Sequence, residues 1–301
     1  MLSCVMYMTI GARGSWDFVL PFRGVKLIAL IVVAIGISTS TVLFQTITRN
    51  RILTPSIMGF DALYVLILSI MVFMFGGQGV AYLPAPVLFG LNITLLLIAS
   101  LLLFGTLLGQ ARQDLMRMIL TGIVFGVLFR ALTSFIQRMI DPNEYAIIQV
   151  GSYARFNQID TSLLGFATIL TIGALIAVWV MRHRLDVVAL GRDAAINLGE
   201  NPNRVMIQVL ILVSILVSVS TTLVGPVAFF GLLVVSLAHL ITPNVRHAIL
   251  LPCAALVACI VLVAGQTIIE RIFAFSTPLS VVVDFIGGIL FLILLLRGGY
   301  R

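Results

Sequence analysis

The side chains that could carry out chemistry are few in this sequence, and they are widely separated. The three histidines, His183, His239 and His247, do not combine with cysteine or carboxylate residues at the spacing of a metal site or a hydrolase. A phosphate-binding loop of the GxxxxGK[ST] type needs a lysine after glycine, and the only lysine, Lys26, follows Val25. The sequence therefore predicts a chain that is not an enzyme, binds no metal or cofactor itself, and leaves any ATP hydrolysis to another subunit.

Ionisable residues are also scarce inside the apolar segments, which argues against a carrier driven by protons or sodium ions. Arg130 is the exception, and we interpret it as a side chain that reaches the membrane interface or packs between helices. Asp61 and Asp284 lie near expected helix starts, where the helix dipole favours a carboxylate. Glu270 and Arg271 adjoin at an expected helix end and are expected to pair with each other.

The elements that carry these residues must be membrane helices. The chain has 301 residues, of which 61% are hydrophobic and 10% are charged, and its mean hydropathy is +1.20. No charged residue occurs from Ala62 to Ala111, a run that a lipid bilayer accommodates and a soluble domain does not need. The net charge of +7 then reflects cationic cytoplasmic loops rather than a nucleic-acid partner. Cys4, Cys253 and Cys259 have apolar neighbours and are expected to pack.

Apolar runs predict about ten membrane-spanning helices in a single domain covering residues 1–301. The first run, Met1 to Ile10, is about half the ~20 residues that cross a bilayer, and we interpret it as a shortened first span. The other predicted spans are Val25 to Ile47, Ile57 to Phe75, Ile93 to Leu108, Leu115 to Ile136, Ser162 to Met181, Val205 to Val224, Val227 to Ile241, Ile249 to Ile269 and Val281 to Leu296.

The longest polar interruption between apolar segments runs from Arg182 to Arg204, and we call it the elbow. Its apolar residues recur at helical spacing and its polar residues mark the other faces, which predicts two short amphipathic helices at about 185–200. Gly191 is expected to separate them, Gly199 to cap the second, and Pro202 to stop it. Such a segment either presents a surface to a partner or is an ordinary solvated loop.

Positive charge predicts the orientation of the chain, because cationic loops are retained in the cytoplasm. With the elbow in the cytoplasm, the cationic residues on its side are Arg49, Arg51, Arg112, Arg117, Arg182, Arg184, Arg192, Arg204, Arg246, Arg297 and Arg301. Those on the opposite side are Arg13, Arg23, Lys26, Arg130, Arg138, Arg155 and Arg271. The connection from Asp141 to Asp160 is then extracytoplasmic and is long enough to hold a short helix at the mouth of a pathway.

Three separated stretches resemble the permease subunits of ATP-binding-cassette (ABC) importers for iron-siderophores and vitamin B12. They are QTITRNRILTPSIMG from Gln45 to Gly59, ALGRDAAINLG from Ala189 to Gly199, and GPVAFFGL from Gly225 to Leu232. Residues Pro278 to Arg301 are also similar to the end of this family. The amino-acid sequence from Thr54 to Tyr64 is most similar to that of permeases for catecholate siderophores such as vibriobactin or enterobactin.

The resemblance implies a type II ABC importer fold in the bacterial inner membrane. The resemblance implies that the stretch from Ala189 to Gly199 contacts an ABC ATPase and transmits the movement of the ATPase to the membrane helices. The predicted coupling residues are Ala189, Leu190, Gly191, Arg192, Asp193, Ala194, Ala195, Asn197, Leu198, Gly199 and Glu200.

The resemblance also implies the remaining partners. Acidic residues of a periplasmic binding protein are expected to dock on Arg23, Lys26 and Arg271, for which contact with lipid head groups is the alternative. The complete importer would contain two ATPase subunits that bind ATP and Mg²⁺, a second permease that is identical or homologous, and membrane lipid. Its cargo would be a ferric siderophore. A secondary transporter or channel that works without ATP is the alternative function.

Overall fold

The computed structural model describes residues 2–9, 16–82, 84–111, 115–154, 156, 161–242, 246–271 and 279–296. The helices are α1 (Leu2–Thr9), α2 (Trp16–Thr48), α3 (Asp61–Tyr82), α4 (Ala85–Ala111), α5 (Leu115–Gln137), α6 (Pro142–Gly151), α7 (Thr161–Ala189), α8 (Arg192–Asn197), α9 (Pro202–Val224), α10 (Phe230–Ile241), α11 (His247–Arg271) and α12 (Leu279–Leu296). A π-helical turn, Ser56–Phe60, precedes α3.

Each predicted span coincides with a helix, and no strand occurs in the ranges given above. Within the described part of the chain, seven helices are long and apolar enough to cross a membrane, namely those built on α2, α3, α4, α5, α7, α9 and α11. The apolar stretches Phe230–Ile241 and Leu279–Ile289 are shorter, as is α1. The fold is therefore that of an all-helical membrane protein that crosses the bilayer several times.

The core forms around α2 and α9, which are the most buried of the long helices and pack against each other. Small residues allow this close approach: a Cβ added at Gly36 of α2 would lie 2.5 Å from the hydroxyl of Ser220 on α9. Gly231 of α10 meets Thr41 of α2 in the same way, at 2.2 Å. Membrane helices associate through such small-residue contacts because lipid provides no hydrophobic force between them. Thr41 satisfies its own hydroxyl by donating to the carbonyl of Ile37.

The chain returns from α2 to α3 through a segment that contains the first family-like stretch. Arg49 adopts a left-handed conformation with φ 52°, and the Asn50 side chain accepts a hydrogen bond from the amide of Ile52. The π-helical turn that follows ends with Gly59, whose φ is 99°. This glycine lies against Gly126 near the middle of α5, where an added Cβ would be 3.1 Å from the Gly126 Cα atom. Helix α3 thus begins at about the depth of the middle of α5.

The predicted short helix in the connection 141–160 is confirmed as α6. Asp141 caps it by accepting a hydrogen bond from the amide of Asn143, and Pro142 occupies its first turn. Helix α6 packs on α3. Its Glu144 accepts a hydrogen bond of 2.8 Å from the amide of Gly77, next to a break in α3 at Gly76 with φ 71°. We call this side of the molecule the α6 end; the elbow lies at the other end.

Candidate coupling elbow and polar cavity

The elbow contains one short helix rather than the two that the sequence predicts. Helix α7 continues without interruption to Ala189, so the first predicted helix is the end of a membrane span. Gly191, with φ 113°, turns the chain into α8. Pro202 does not stop the second helix: it occupies the first turn of α9, behind an Asn201 cap that accepts from the amide of Arg204. Periodicity could not show the first of these differences, because α7 has the same helical repeat on both sides of the membrane boundary.

Gly199 ends α8 as predicted. Its φ of 83° lies in the left-handed region, and its amide donates to the carbonyl of Ile196 at 3.0 Å. The next amide, that of Glu200, reaches back to the carbonyl of Ala195 at 2.9 Å. This pair of bonds is the Schellman arrangement, in which glycine avoids the steric cost that other residues pay.

The elbow presents apolar side chains to its surroundings. Ala195 is fully buried, as are Leu185 and Gly191, and these residues fix the elbow to the membrane helices. Leu198, which the helical spacing assigns to the same face as Ala195, is instead 61% exposed. Ile196 is 51% exposed, and it was not among the predicted coupling residues although it is the largest apolar side chain between Arg192 and Asn197.

The predicted coupling residues therefore divide into two groups. Gly191 and Ala195 are buried, and Ala194 and Glu200 are partly buried. The exposed members, which are available to a partner, are Ala189, Leu190, Arg192, Asp193, Asn197, Leu198 and Gly199. Among them the side chain of Arg192 reaches Asn203 at 3.4 Å.

An ion pair connects α7 to the segment that follows α8. Arg184 donates to both carboxylate oxygens of Glu200 at 3.0 to 3.1 Å, and also to the side-chain oxygen of Gln208 on α9 at 3.3 Å. The hydrogen bond from Arg184 holds the pKa of the Glu200 carboxyl below its ordinary value. Glu200 therefore stays ionised at neutral pH, and Arg184 joins α7 both to the segment after α8 and to α9.

A second set of contacts connects the elbow end of α7 to α2 and α11. Asp186 accepts two hydrogen bonds from His247, one from its amide at 2.8 Å and one with the ring Nδ1 at 2.6 Å. The ring Nε2 lies 2.7 Å from the hydroxyl of Thr46 on α2. The guanidinium of Arg49 packs beside Gly191, 3.1 Å from where a Cβ would be. These contacts join the end of α7, directly before α8, to α2 and α11.

The predicted docking residues lie toward the opposite end of α2 and α11. Arg23 donates to the backbone carbonyls of Tyr7 and Met8 at 3.2 and 2.9 Å, so it caps the end of α1. The Nζ atom of Lys26 lies 4.4 Å from the ring centre of Phe22. Glu270 accepts hydrogen bonds from the hydroxyl of Tyr7 at 3.2 Å and from the Gln266 side chain at 2.9 Å. The side chain of Arg271 lies outside the described part of the structure, so its expected pair with Glu270 stays a prediction.

A polar cavity of about 480 Å³ lies between α3, α5, α6 and α12, toward the α6 end. It brings together Asp61, Arg130 and Asp284, three ionisable residues on three separate predicted spans. From the sequence alone, the helix dipole explains the two aspartates, and reach to the interface or packing explains Arg130. Its other polar lining includes Thr133, Ser134, Gln137, Tyr145, Gln149, Ser152, Tyr153 and Ser280. The sequence signal was an ionisable residue inside each of three apolar segments, and intramembrane ionisable residues are by default candidates for function.

The third family-like stretch helps to build this cavity. Gly225 has φ 102°, and an added Cβ would lie 2.9 Å from the carbonyl oxygen of Tyr153. Four residues further on, the amide of Phe229 donates to Asp284 at 3.0 Å. The stretch therefore holds the segment after α6 and the start of α12 in place around the cavity.

Comparison with known proteins agrees with this architecture. The FecCD transport family matches residues 2–297. The chain is 43% identical over 294 residues to the petrobactin import system permease protein YclO of Bacillus subtilis, which covers 98% of this chain and 93% of the relative. It is 32% identical over 277 residues to the petrobactin import system permease protein FatC of Bacillus anthracis, with coverages of 91% and 78%.

A solved metal-chelate type ABC transporter in an inward-facing conformation superposes with a TM-score of 0.80. The alignment covers 98% of this chain and 95% of the solved chain at 22% identity, so it shows the type II ABC importer fold. The fold, the three sequence stretches and the family match agree along nearly the whole chain. This chain belongs to the FecCD transport family and is an ABC importer permease of the iron-siderophore type.

Proposed function

We propose that the chain is the permease subunit that moves a ferric siderophore, of the catecholate type, from the periplasm to the cytoplasm across the bacterial inner membrane. Petrobactin, named in two relatives, is the first cargo to test. The chain forms and gates the pathway, and ATP hydrolysis takes place on separate subunits.

The exposed apolar surface of the elbow carries this proposal. Leu190, Ile196 and Leu198 are 67%, 51% and 61% exposed in a segment that lies between membrane spans. Exposed apolar side chains that lie together in an otherwise polar segment mark a site of interaction with a partner. We propose that they enter a cleft of an ABC ATPase, and that Arg192, Asp193 and Asn197 surround the contact.

Closure of the ATPases would push on α8. The buried residues Gly191 and Ala195 and the Arg184–Glu200 ion pair make α8 move together with α7 and α9. The contacts of His247 with Asp186 and Thr46 extend the same movement to α11 and α2. The outcome is alternating access, in which the pathway opens to one side of the membrane at a time.

We propose a complex with two ATPase subunits, a second permease and a periplasmic binding protein, embedded in membrane lipid. The second permease, identical or homologous, is placed against α5 and α12. Both helices flank the polar cavity, and α5 exposes most of its apolar surface. The binding protein is expected to dock at Arg23, Lys26 and Arg271.

The subunit composition tests this proposal. The tagged chain, purified gently from native membranes, should carry with it a soluble ATPase with a phosphate-binding loop in near-equal amounts, identified by mass spectrometry. A second polypeptide of the same family would indicate a heterodimer of permeases. A lone chain that still transports would instead support the secondary transporter that works without ATP.

A further inference from the structure

The carboxylate of Asp61 has an unusual environment for a charged group. Both of its oxygens are shielded from solvent, and neither has a hydrogen-bond partner among the described residues. The hydroxyl of Ser56 approaches but does not meet hydrogen-bond geometry. A buried carboxylate without donors is costly, because the hydration that it loses is not replaced. A ligand that supplies donors would remove this cost.

The position of Asp61 follows from the interrupted helix that carries it. It is the first residue of α3, directly after the π-helical turn that the Gly59 and Gly126 contact holds at the middle of α5. Irregular backbone at this depth of a membrane protein occurs where it is buried in protein or lines a cavity. The interruption therefore aims Asp61 at the polar cavity rather than at lipid.

The other two charged residues of the cavity do not neutralise Asp61. Arg130 lies one turn beyond Gly126, with its guanidinium close to that glycine, and forms no ion pair with either aspartate among the described residues. Asp284 already accepts a hydrogen bond from the amide of Phe229. Two carboxylates thus face one guanidinium in a low-dielectric region, and an added positive group would be stabilised.

We propose that the polar cavity is a cargo subsite in which Asp61 and Asp284 bind a protonated amine carried by the ferric chelate. This inference rests on the proposed function and names a chemical feature of its cargo. The volume of about 480 Å³ admits an arm of a chelate rather than water alone, and it lies within the range of ligand pockets. The surrounding hydroxyl and amide side chains can bind the neutral polar groups of the same arm.

The first test measures the charge preference of the cavity without any cargo. Ser134 lines the cavity and is exposed, so a Ser134→Cys variant, with the three native cysteines replaced by alanine, offers one thiol there. In the assembled importer it should react faster with a cationic than with an anionic methanethiosulfonate, each rate being divided by that of a free thiol. Asp61→Asn, which keeps the shape, should lower this preference about threefold or more.

Asp17→Asn is the matched control, because Asp17 is an exposed carboxylate outside the cavity. It should leave the preference unchanged. An equal preference with and without the Asp61 carboxylate would overturn the proposal, as would a preference for the anionic reagent in the unsubstituted cavity.

The second test uses cargo. ATP-driven uptake into proteoliposomes is compared for a ferric catecholate siderophore that carries a protonated amine and for its N-acetylated form, which lacks the charge. Asp61→Asn should raise the apparent KM for the amine form about tenfold and leave that for the acetylated form nearly unchanged. Equal losses for both cargoes, or no loss for either, would contradict a subsite for the amine.

The two readouts separate this inference from the proposed function. If the unsubstituted importer takes up neither cargo, the proposed function fails, and the labelling rates still decide whether the cavity attracts cations. If sodium ions, but not small alkylammonium ions, slow the labelling of the Ser134→Cys thiol, the cavity binds an inorganic cation and the amine subsite is wrong.

Discussion

Gly199 shows how a single residue determines the geometry of the segment after α8, which we propose contacts the ATPase. Its φ of 83° is unfavourable for any residue with a Cβ atom, although no atom lies within 4 Å of the position that a Cβ would occupy. The cost of a substitution therefore comes from the backbone alone, at ~1 kcal/mol for most residues and more for β-branched ones. Asparagine tolerates this conformation better than other residues with a side chain.

We predict that Gly199→Val weakens the contact with the ATPase, whereas Gly199→Asn largely preserves it. The measurement is the fraction of ATPase subunit that stays with the purified permease as detergent-solubilised complex is diluted. Valine should shift the elbow and lower this fraction several-fold relative to asparagine. Equal retention in the two variants would show that the left-handed turn is not needed for the contact.

At the scale of elements, His247 joins three helices through hydrogen bonds with Asp186 and Thr46. Asp186→Ala would leave the amide and the ring nitrogen of His247 buried without an acceptor, at a cost of about 1–3 kcal/mol. We predict a lower midpoint of thermal unfolding and a smaller amount of transport per ATP hydrolysed. Asp186→Asn keeps one acceptor oxygen. Its unfolding midpoint and its transport per ATP should therefore lie between those of Asp186→Ala and those of the unsubstituted chain. If Asp186→Ala lowers the unfolding midpoint but leaves transport per ATP unchanged, these hydrogen bonds of His247 do not take part in coupling.

The close contact between the π-helical turn and α5 allows a prediction with a control of its own. Gly59→Ala meets both a φ of 99° and the Gly126 backbone at 3.1 Å. Gly122→Ala has no positive φ, and it meets the sulfur and terminal methyl of the buried Met58 side chain, with the nearest backbone atom at an ordinary contact distance of 3.6 Å. Gly59→Ala should therefore destabilise the protein by ~1–3 kcal/mol more than Gly122→Ala in denaturant unfolding in detergent. The reverse order would mean that the turn is not held by backbone contact.

The elements were predictable from the sequence to the extent that hydropathy and local signals determine them. The apolar runs predicted each helix that spans the membrane. Asp141 followed by Pro142 marks the start of α6, because an aspartate cap and a proline in the first turn are local signals. The continuous α7 was missed because charged side chains near Arg182 are typical of a membrane boundary, and a helix can pass through such a boundary. The polar cavity was not predictable, because Asp61, Arg130 and Asp284 meet only through the packing of α3, α5 and α12.

At the scale of the whole molecule, docking of the binding protein should depend on ionic strength. Lys26→Glu combined with Arg271→Glu is predicted to slow capture of the loaded binding protein, more at low than at high salt, because exposed charges are screened over about 10 Å at 0.1 M. Association kinetics on importer in nanodiscs would measure this. Arg23→Glu is a less specific variant, because Arg23 also caps α1. Unchanged capture rates at both salt concentrations would exclude these residues as the docking site.

The measurement that tests the central claim most directly is iron uptake per ATP hydrolysed by the complete importer in proteoliposomes. The chain with Asp193→Ala or Asn197→Ala should still permit ATP hydrolysis and should transport less cargo for each ATP, because we propose that these residues, which are exposed on α8, transmit the closure of the ATPase. Uptake by the unsubstituted importer should stop when ATP is withheld. Uptake that continues without ATP, or an unchanged ratio in both variants, would contradict the account.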